Sequence, residues 1–422
     1  MSRTDAERRG ELRDQVVRLY RANRRQGHAE WRGADYDYTC PSAETYPFQW
    51  FWDSCFHAIV LSRLDPPRAE AEIATLLLAQ RDDGFIPHMV RWADDPRDSD
   101  PDAPYRIAGE QPRLSSSMQP PILAEAVAAV AEHGRGAAFL REVLPAVRRY
   151  YDWCLRDRDG HGDGLITIFD PHESGMDQTP AYDALLGIEG DDPAAFEAAW
   201  RRIGQSNEAL GQDPARIVER DVFVVADVAV NVLYAENQLV MSRLLSVSGD
   251  HDAAGALEER GRRTVASLFD RCWSNGDQDF HALAGQAQHM LPAGTLAGLL
   301  PILLEDLPAD RADRIARRLE DPADYGTAFP APSVSVANPA YRAAPAGGTV
   351  LWRGPTWINT NWYIARGLRR HGRDDLADRI AASSLALIER SGFREHYDAR
   401  TSQGYGARDF AWSALALEMA RD

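Results

Sequence analysis

Apolar residues recur at helical spacing along most of the chain. In the clearest segments they fall at mixed i, i+3, i+4 and i+7 positions, which is typical of helices with one buried face. These segments are 69–80, 122–133, 139–155, 224–247, 254–272 and 374–389. Residues 224–247 are apolar around much of the helix, as expected of an inner helix covered on several sides. The pattern predicts an all-α protein, which begins with a helix at about residues 1–28.

The segments between these helices are long and rich in Pro, Gly, Asp and aromatic residues. They cover 92–121, 156–187, 321–357 and 391–409. Long loops in a compact domain are usually either functional or disordered, and the Trp, Tyr, Gln and Asn content of these favours function. No strand alternation, βαβ pattern or Ser/Gly linker interrupts the chain. We therefore expect one domain, residues 1–422, folded as an (α/α)6 toroid with its aromatic-rich loops at one end.

Charge and composition exclude several classes of function. The chain has 47 basic and 64 acidic side chains and a formal net charge of −17, which argues against nucleic-acid and anionic-membrane partners. Lysine is absent from the sequence, so every basic residue is Arg. Schiff-base chemistry, pyridoxal phosphate attachment and a Walker-type phosphate loop each need a lysine and are excluded.

Targeting and metal signals are also missing from the sequence. The N-terminus is charged and has no apolar core, unlike a secretory signal. The longest mainly apolar stretch, 291–304, contains prolines and is shorter than the ~20 residues of a membrane helix. The four cysteines form no CxxC pair, which argues against a disulfide framework or a zinc site. We expect a cytoplasmic protein without a metal or cofactor, and the sequence leaves its oligomeric state open.

The DGHGDG stretch at 159–164 resembles a calcium loop only superficially. Counted from Asp157, the fifth ligand position is His161, and the twelfth is Ile168 where a bidentate glutamate is needed. A Gly/Asp turn after a helix is the favoured interpretation.

Two segments carry carboxylates in a setting suited to chemistry. PHESGMDQTP (171–180) places Glu173 and Asp177 in a loop bounded by Gly and Pro, and GFREHYD (392–398) places Glu395 among aromatic residues. Glycoside hydrolysis needs a protonated acid at the leaving oxygen and a second carboxylate that attacks or activates water. A carboxyl beside aromatic walls keeps its proton near neutral pH because it is desolvated. A solvated surface position is the alternative for either segment.

Aromatic residues cluster in two further segments. YPFQWFWD (46–53) holds five aromatics and a carboxylate, and LWRGPTW (351–357) is followed by Asn361 and Trp362. Trp faces stack on sugar rings while Asp, Gln, Asn and Arg bind hydroxyls, although some of these Trp residues would serve as core instead. His88 in GFIPH and Gln119 in MQPP are further candidates to face such a pocket. HExxH, GxSxG and GxGxxG are absent, so metalloprotease and serine-hydrolase functions have no support.

Together these motifs resemble the inverting α-glycosidases built on an (α/α)6 barrel. That group is similar to glycoside hydrolase family 63 and includes trehalases, processing α-glucosidase I and, most similar here, bacterial mannosylglycerate and glucosylglycerate hydrolases. The matching pieces occur in the expected order, at 46–59, 84–88, 118–121, 162–180, 352–357 and 393–414. Each piece is a weak motif alone, but the ordered set covers nearly the whole chain.

The resemblance implies an inverting hydrolase of a small α-glucoside or α-mannoside, a glycosylglycerate or a disaccharide. Asp177 would be the general acid and Glu395 the general base that activates water. The residues implied to contact the carbohydrate are Tyr46, Trp50, Trp52, Asp53, His88, Gln119, Glu173, Trp352, Arg353 and Trp357. We expect both carboxylate loops and the Trp clusters at the same end of the barrel.

One departure from the family concerns the aglycone. We call residues 171–180, which carry the implied general acid Asp177, the acid loop. The glucosylglycerate enzymes carry a long insertion after the corresponding loop, with an arginine that helps hold the glycerate carboxylate. Residues 182–221 are shorter here, and no arginine in them matches. We therefore expect neutral or weakly charged glycosides, unless Arg353 or another arginine offsets the carboxylates.

Three alternatives stay open at the level of sequence. A sugar 2-epimerase or other isomerase uses the same barrel, although those enzymes resemble catalysts with paired histidines. A trehalase-type disaccharide hydrolase would use the same two carboxylates on another substrate. A sugar-binding protein without turnover would need only the aromatic clusters.

Overall fold

Helices predominate in the computed structural model, which describes residues 5–94 and 113–420. The α-helices are α1 Asp5–Asn23, α2 Phe51–Leu64, α3 Pro66–Leu78, α4 Leu123–His133, α5 Ala137–Arg158, α6 Asp183–Leu186, α7 Pro193–Ala209, α8 Pro214–Arg220, α9 Val228–Val247, α10 His251–Arg271, α11 Ala309–Glu320, α12 Ile358–Arg370, α13 Asp374–Ser391 and α14 Ala416–Met419. Short 3-10 helices lie at Pro171–Ser174, Pro180–Tyr182, Leu296–Leu303, Pro345–Gly348 and Ala411–Leu415.

The strands are short and antiparallel. They are β1 Arg24–Ala29, β2 Ala34–Thr39, β3 Gln49–Trp50, β4 Met89–Val90, β5 Val225–Ala226, β6 Trp273–Ser274, β7 Asp279–Phe280, β8 Leu283–Ala284, β9 His289–Met290, β10 Arg394–Tyr397 and β11 Gly404–Arg408. The pairs are β1–β2, β3–β4, β6–β7 and β10–β11, and β5–β8–β9 form a three-stranded sheet. All of them lie in the connections between helices, where they fix the path of the loops.

All six helices predicted from apolar spacing form, with ends shifted by a few residues. The N-terminal helix is shorter than predicted, because it ends at Asn23 and the chain continues as β1. Gly27 lies opposite Tyr36 in the β1–β2 register, and a Cβ at Gly27 would stand 2.6 Å from the Tyr36 hydroxyl oxygen. The bulky partner strand therefore explains why a glycine interrupts the helical pattern at this point.

A closed ring of helical elements forms the centre of the described structure. α2 packs on α4, α4 on α9, α9 on the 3-10 helix Leu296–Leu303, that helix on α12, α12 on the 3-10 helix Ala411–Leu415, and the last again on α2. Most ring elements pack on an outer partner adjacent in sequence, such as α3 on α2 and α10 on α9, whereas α1 packs on the 3-10 helix Ala411–Leu415 from the other end of the chain. The arrangement is the predicted (α/α)6 toroid.

The connections at the two ends of the toroid differ in length. An inner element leads to its outer partner through a few residues, for example through Asp65 between α2 and α3. The return connections are long and include residues 159–227, 321–357 and 392–410. Since inner and outer elements alternate in direction, these long loops gather at one end, over the N-termini of the inner helices. This end holds the aromatic-rich segments.

One hydrophobic core extends from Val16 in α1 to Met419 in α14. Helix α2 is buried along almost its whole length, which explains why its sequence shows no polar face and no helical period. None of the helices in residues 5–94 and 113–420 combines the length and apolar character needed to cross a bilayer.

Candidate active site

Backbone and side-chain hydrogen bonds join the separate sequence motifs into one site. Trp50 pairs with Met89 in the β3–β4 ladder, which connects the first aromatic cluster to the GFIPH segment. The backbone N–H of Trp52 donates to Oε1 of Gln119 at 3.0 Å, and that of Met118 donates to Oε1 of Glu173 at 3.0 Å. Segments far apart in sequence are thereby held side by side.

The C-terminal motifs join the same assembly. Thr356 and Tyr397 exchange backbone hydrogen bonds of 2.7 and 2.9 Å, which places the second Trp cluster against the strand that carries Glu395. Leu351 donates its backbone N–H to the side chain of Gln178, next to Asp177. Both carboxylate segments and both Trp clusters therefore lie at the same end, as predicted.

Glu395 lies on β10 and is held by two donors. The Tyr46 hydroxyl donates to Oε1 at 3.1 Å, and the backbone N–H of Ala407 donates to Oε2 at 2.8 Å. Gly406 has φ +65°, and a Cβ there would lie 2.4 Å from Oε2 of Glu395. Burial raises the pKa of Glu395 to about 7, although these two hydrogen bonds oppose the shift. The hairpin β10–β11 is built so that the carboxylate fits against its backbone.

Asp177 follows the 3-10 helix Pro171–Ser174 and is half-buried. Burial raises the pKa of its carboxyl, while the neighbouring His172 counteracts the rise. The charge of Asp177 in turn contributes to the raised pKa of Glu395, so the two carboxyls are close enough to interact. Together they form a pair that tends to retain a proton near neutral pH.

Asp53 lies in the first turn of α2, beside this pair. It is buried, and its Oδ1 has no hydrogen-bond partner among the described residues. Burial raises the pKa of Asp53 well above its usual range, and the charge of Glu395 adds to the shift. A neutral carboxyl in this position can donate a hydrogen bond to a hydroxyl group as well as accept one.

The first aromatic cluster surrounds the carboxylates with ring edges and faces. The ring of Tyr46 meets that of Trp50 edge-on at 5.9 Å, and Trp50 meets His88 at 5.3 Å. Trp52 packs on Gly175 of the acid loop, where an added Cβ would lie 2.6 Å from its ring. These contacts place Tyr46, Trp50 and Trp52 around the carboxylate pair.

The second cluster lies deeper. Trp352 and Trp357 stack at 3.7 Å with an interplanar angle of 5°, and both are buried. Trp357 also contacts the ring of His396 at 4.7 Å. The stacked rings therefore pack against strand β10, which carries Glu395.

Two predicted carbohydrate contacts are engaged in ion pairs within the protein. Glu173 is 2% exposed, and Arg158 donates to both of its oxygens at 2.7 Å. Backbone N–H groups donate to the same two oxygens, so each already accepts two hydrogen bonds. Arg353 likewise donates to both oxygens of Asp183, at 2.9 and 2.7 Å. Both pairs anchor the loop that presents Asp177.

His88 and Gln119 border the first aromatic cluster. Nδ1 of His88 lies 2.6 Å from the hydroxyl of Ser115, and burial lowers the pKa of His88 to about 3, so this histidine is neutral. The side-chain oxygen of Gln119 accepts a hydrogen bond from the backbone N–H of Trp52. The amide nitrogen of Gln119 therefore points away from Trp52.

The acidic turn after α5 is satisfied by the protein itself. The Asp159 carboxylate accepts the backbone N–H groups of Asp163 and Gly164, at 3.0 and 3.1 Å. Asp163 pairs with Arg271 of α10. Across residues 5–94 and 113–420, no group of three or more His, Cys, Asp or Glu side chains is arranged to hold a metal ion.

Comparison with known proteins identifies the class of enzyme. A family described as the mannosylglycerate hydrolase MGH1-like glycoside hydrolase domain matches residues 46–413. The chain belongs to this family of glycoside hydrolases. The assignment favours hydrolysis over the isomerase and the binding protein that the sequence had left open.

Two curated relatives of this hydrolase match it over more than nine-tenths of their own length. A mannosylglycerate hydrolase of Thermus thermophilus is 32% identical over 92% of this chain and 97% of that protein. A glucosylglycerate hydrolase of Mycolicibacterium hassiacum is 27% identical over 88% of this chain and 91% of that protein. The Thermus thermophilus GH63 mannosylglycerate hydrolase solved with Tris and D-glycerate is 29% identical and has a TM-score of 0.85, over 97% of this chain and 100% of that one.

Three residues of the candidate site were not singled out from the sequence. His172 and Gly406 lie within or beside the quoted motifs, and Trp412 of FAWSA packs on Trp52 with ring centroids 5.5 Å apart. His172 is five residues before Asp177, and that proximity was the available signal. The need for Gly406 depends on a contact with Glu395 that only the folded hairpin creates.

Proposed function

We propose that this hydrolase cleaves an α-linked mannosyl- or glucosylglycerate with inversion, using Asp177 as general acid and Glu395 as general base. The observation that carries the proposal is a pair of interacting carboxyls that lies among aromatic rings. Glu395 accepts hydrogen bonds from two donors, whereas Asp177 accepts none from a side chain of the described residues. Both pKa values are raised, that of Glu395 to about 7.

The hydrogen bonds support this division of labour. The Tyr46 hydroxyl and the Ala407 amide both donate to Glu395, and donors directed at a carboxylate favour its ionised form. No side chain of the described residues donates to Asp177, so burial favours its protonated form. A base with a pKa near the working pH and an acid that retains its proton suit general acid–base catalysis.

The proposed step balances in protons and bonds. Glu395 removes a proton from a water molecule whose oxygen attacks the anomeric carbon on the face opposite the leaving group. Asp177 gives its proton to the glycosidic oxygen as that bond breaks. The products are the sugar with inverted anomeric configuration and the free aglycone.

For the sugar itself we propose contacts from the first aromatic cluster. Tyr46, Trp50 and Trp52 would present rings, while Asp53 and the amide of Gln119 would bind hydroxyls. Trp352, Trp357 and His88 would act as the surrounding wall. Since Glu173 and Arg353 are already engaged by Arg158 and Asp183, we assign these two the positioning of the acid loop and not direct sugar binding.

The names of the relatives support glycerate as the aglycone. The Thermus thermophilus and Mycolicibacterium hassiacum proteins act on mannosylglycerate and glucosylglycerate by name, and the former was solved with D-glycerate. We therefore propose an anionic aglycone in place of the neutral one that the short 182–221 segment favoured.

The test combines a substrate panel with the stereochemistry of the product. Mannosylglycerate, glucosylglycerate, trehalose, kojibiose and nigerose are incubated with the enzyme, and free sugar is followed by NMR. We expect the glycerate glycosides to be hydrolysed fastest and the β-anomer to appear first. Preferred cleavage of trehalose would favour the trehalase-type alternative, and α-sugar as first product would contradict inversion.

Two substitutions test the catalytic roles. Asp177→Asn and Glu395→Gln should each lower kcat by a factor on the order of 10² or more, the usual size of a general acid–base contribution. Asp270→Asn and Glu259→Gln, both at exposed positions on α10, are the matched controls. Near-normal kcat in Asp177→Asn or Glu395→Gln would contradict the roles assigned here.

A further inference from the structure

His172 occupies a position beside the acid loop that the catalytic step leaves unused. Its Nδ1 lies 2.5 Å from Oδ1 of Asp170, and its backbone N–H donates to the same oxygen at 2.8 Å. Its ring packs on Trp200 of α7 with ring centroids 4.3 Å apart. The imidazole is therefore fixed from two sides.

The other nitrogen of this ring has no hydrogen-bond partner within residues 5–94 and 113–420. The hydrogen bonds of the His172 ring within the described residues are made by Nδ1, not by Nε2, and the side chain is 36% exposed. Because Nδ1 is engaged by Asp170, Nε2–H is the donor left for a ligand.

The charge of this group is also defined. Burial opposes protonation of His172, but Asp170, with further contributions from Asp177 and Glu173, raises its pKa to about 9. An imidazolium is therefore present at neutral pH, paired with Asp170 through one nitrogen only. An anion at Nε2 would form a charge-assisted hydrogen bond.

The position of His172 relative to the reaction follows from the 3-10 helix Pro171–Ser174, which leads into Asp177. The backbone N–H of Gly175 donates to the His172 carbonyl at 3.1 Å, and Gly175 packs against Trp52 of the first aromatic cluster. In keeping with this proximity, the charge of His172 lowers the pKa of Asp177. The acid must reach the glycosidic oxygen, and the aglycone begins at that oxygen. Two nearby guanidiniums, Arg158 and Arg353, are committed to Glu173 and Asp183 and are not offered to a ligand.

We propose that His172, fixed by Asp170 and Trp200, binds the carboxylate of the aglycone and thereby determines the preference for an acidic aglycone. The inference rests on the proposed function, since it takes the substrate to be a glycoside of glycerate. It replaces the family's arginine in this chain with a histidine of the acid loop.

The test compares an acidic substrate with its neutral twin. kcat/KM is measured for the α-glycosylglycerate and for the carboxamide with the same sugar and linkage, in the wild type and in His172→Phe. Phe keeps a ring against Trp200 but removes the cation. Any change in Asp177 acts on both substrates, so the ratio of the two kcat/KM values isolates recognition of the carboxylate.

We expect the wild type to prefer the acid and His172→Phe to lose that preference by about 10- to 100-fold, the range for a hydrogen bond to a charged group. His251→Phe, at an exposed position in α10, is the matched control and should keep the ratio of the wild type. An unchanged ratio in His172→Phe, or a wild-type ratio near one, would overturn the inference and leave the glycosidase intact. Cleavage of neither substrate by the wild type would overturn the proposed function as well.

A second measurement uses only the wild type. Inhibition by D-glycerate, compared with that by glycerol, should weaken as the pH rises through about 9, where His172 loses its proton. The ionisable groups around it are Asp170, Asp177, Glu173 and His88, and His88 is neutral throughout this range. A glycerate-to-glycerol ratio that stays constant across this window would overturn the inference even if His172→Phe does not fold.

Discussion

Removing the hydroxyl of Tyr46 should shift the pH dependence of activity without disturbing the site. The ring of Tyr46 packs edge-on against Trp50 and Phe410, at 5.9 and 5.7 Å, and Tyr46→Phe preserves these contacts. The substitution removes the hydrogen bond of 3.1 Å to Oε1 of Glu395. Its direct effect is therefore the loss of one donor to the Glu395 carboxylate.

The size of the effect follows from that hydrogen bond. A hydrogen bond to a charged group contributes about 1.5–3 kcal/mol, and ~1.4 kcal/mol corresponds to one pKa unit. Because the donor favours the ionised form, its loss raises the pKa of Glu395 from about 7 by roughly 1–2 units. A general base must be ionised, so the acidic limb of the pH profile moves to higher pH by the same amount.

The assay is kcat/KM for the preferred glycoside as a function of pH, since this quantity reports ionisations in the free enzyme. Tyr46→Phe should lose about tenfold or more in activity near neutral pH and recover part of it in alkali. Tyr234→Phe is the control, because that buried hydroxyl on α9 has no hydrogen-bond partner among the described residues. An acidic limb that does not move in Tyr46→Phe would refute the assignment of Glu395 as base.

Three further predictions test the scaffold of the site. Gly406→Ala should lower kcat at least about tenfold, because the added Cβ would displace Glu395. Gly392→Ala has a similar positive φ but open space around its Cβ, so it should lose only stability, on the order of 1 kcal/mol. Measurements of kcat and of thermal melting distinguish the two variants. Arg158→Met should lower the free energy of unfolding by about 3–5 kcal/mol in chemical denaturation, because it leaves Glu173 buried and unpaired; a loss below ~1 kcal/mol would contradict this. Glu72 has a pKa raised by burial from 4.5 to about 8, so the folded state holds a proton that the unfolded state releases, and its contribution to stability falls as the pH rises through this range. Glu72→Gln cannot ionise, so the difference between its free energy of unfolding and that of the wild type should increase in favour of the variant as the pH rises through this range. A difference that stays constant with pH would contradict the raised pKa of Glu72.

The spacing of apolar residues predicted several helices that have one exposed face, although α7 and α11, which also have one, were not among the predicted segments. α3, α5, α10 and α13 each have a polar side toward solvent, and the 3.6-residue period survives in their sequences. The spacing of apolar residues did not predict helices α2 and α12, whose side chains are buried on nearly all sides. Burial on all sides removes the contrast between faces on which a periodicity argument depends.

Residue types in the sequence were enough to propose which side chains of the candidate site carry the chemistry. Carboxylates among aromatic and glycine residues marked Asp177 and Glu395, and the order of the motifs placed them in a family of hydrolases. The family resemblance gave Asp177 the role of general acid and Glu173 that of a carbohydrate contact, but the residues themselves did not show that Glu173 is held inside the protein. Their difference arises from Arg158 and two backbone amides, which come from other segments and satisfy Glu173 completely.

Sequence alone therefore determined the helical class and, through the family resemblance, the class of chemistry, and it predicted which residues would perform that chemistry, because residue type and local spacing are properties of the chain itself. Tertiary structure decided which of those side chains are free. Arg353 is paired with Asp183, 170 residues away. Asp170 and Trp200 hold the His172 ring, and its Nε2 makes no hydrogen bond within the part of the chain that the structure describes. Pairing of charges, burial and the resulting pKa values are set by contacts between distant segments, and only the closure of the helical ring brings those segments together.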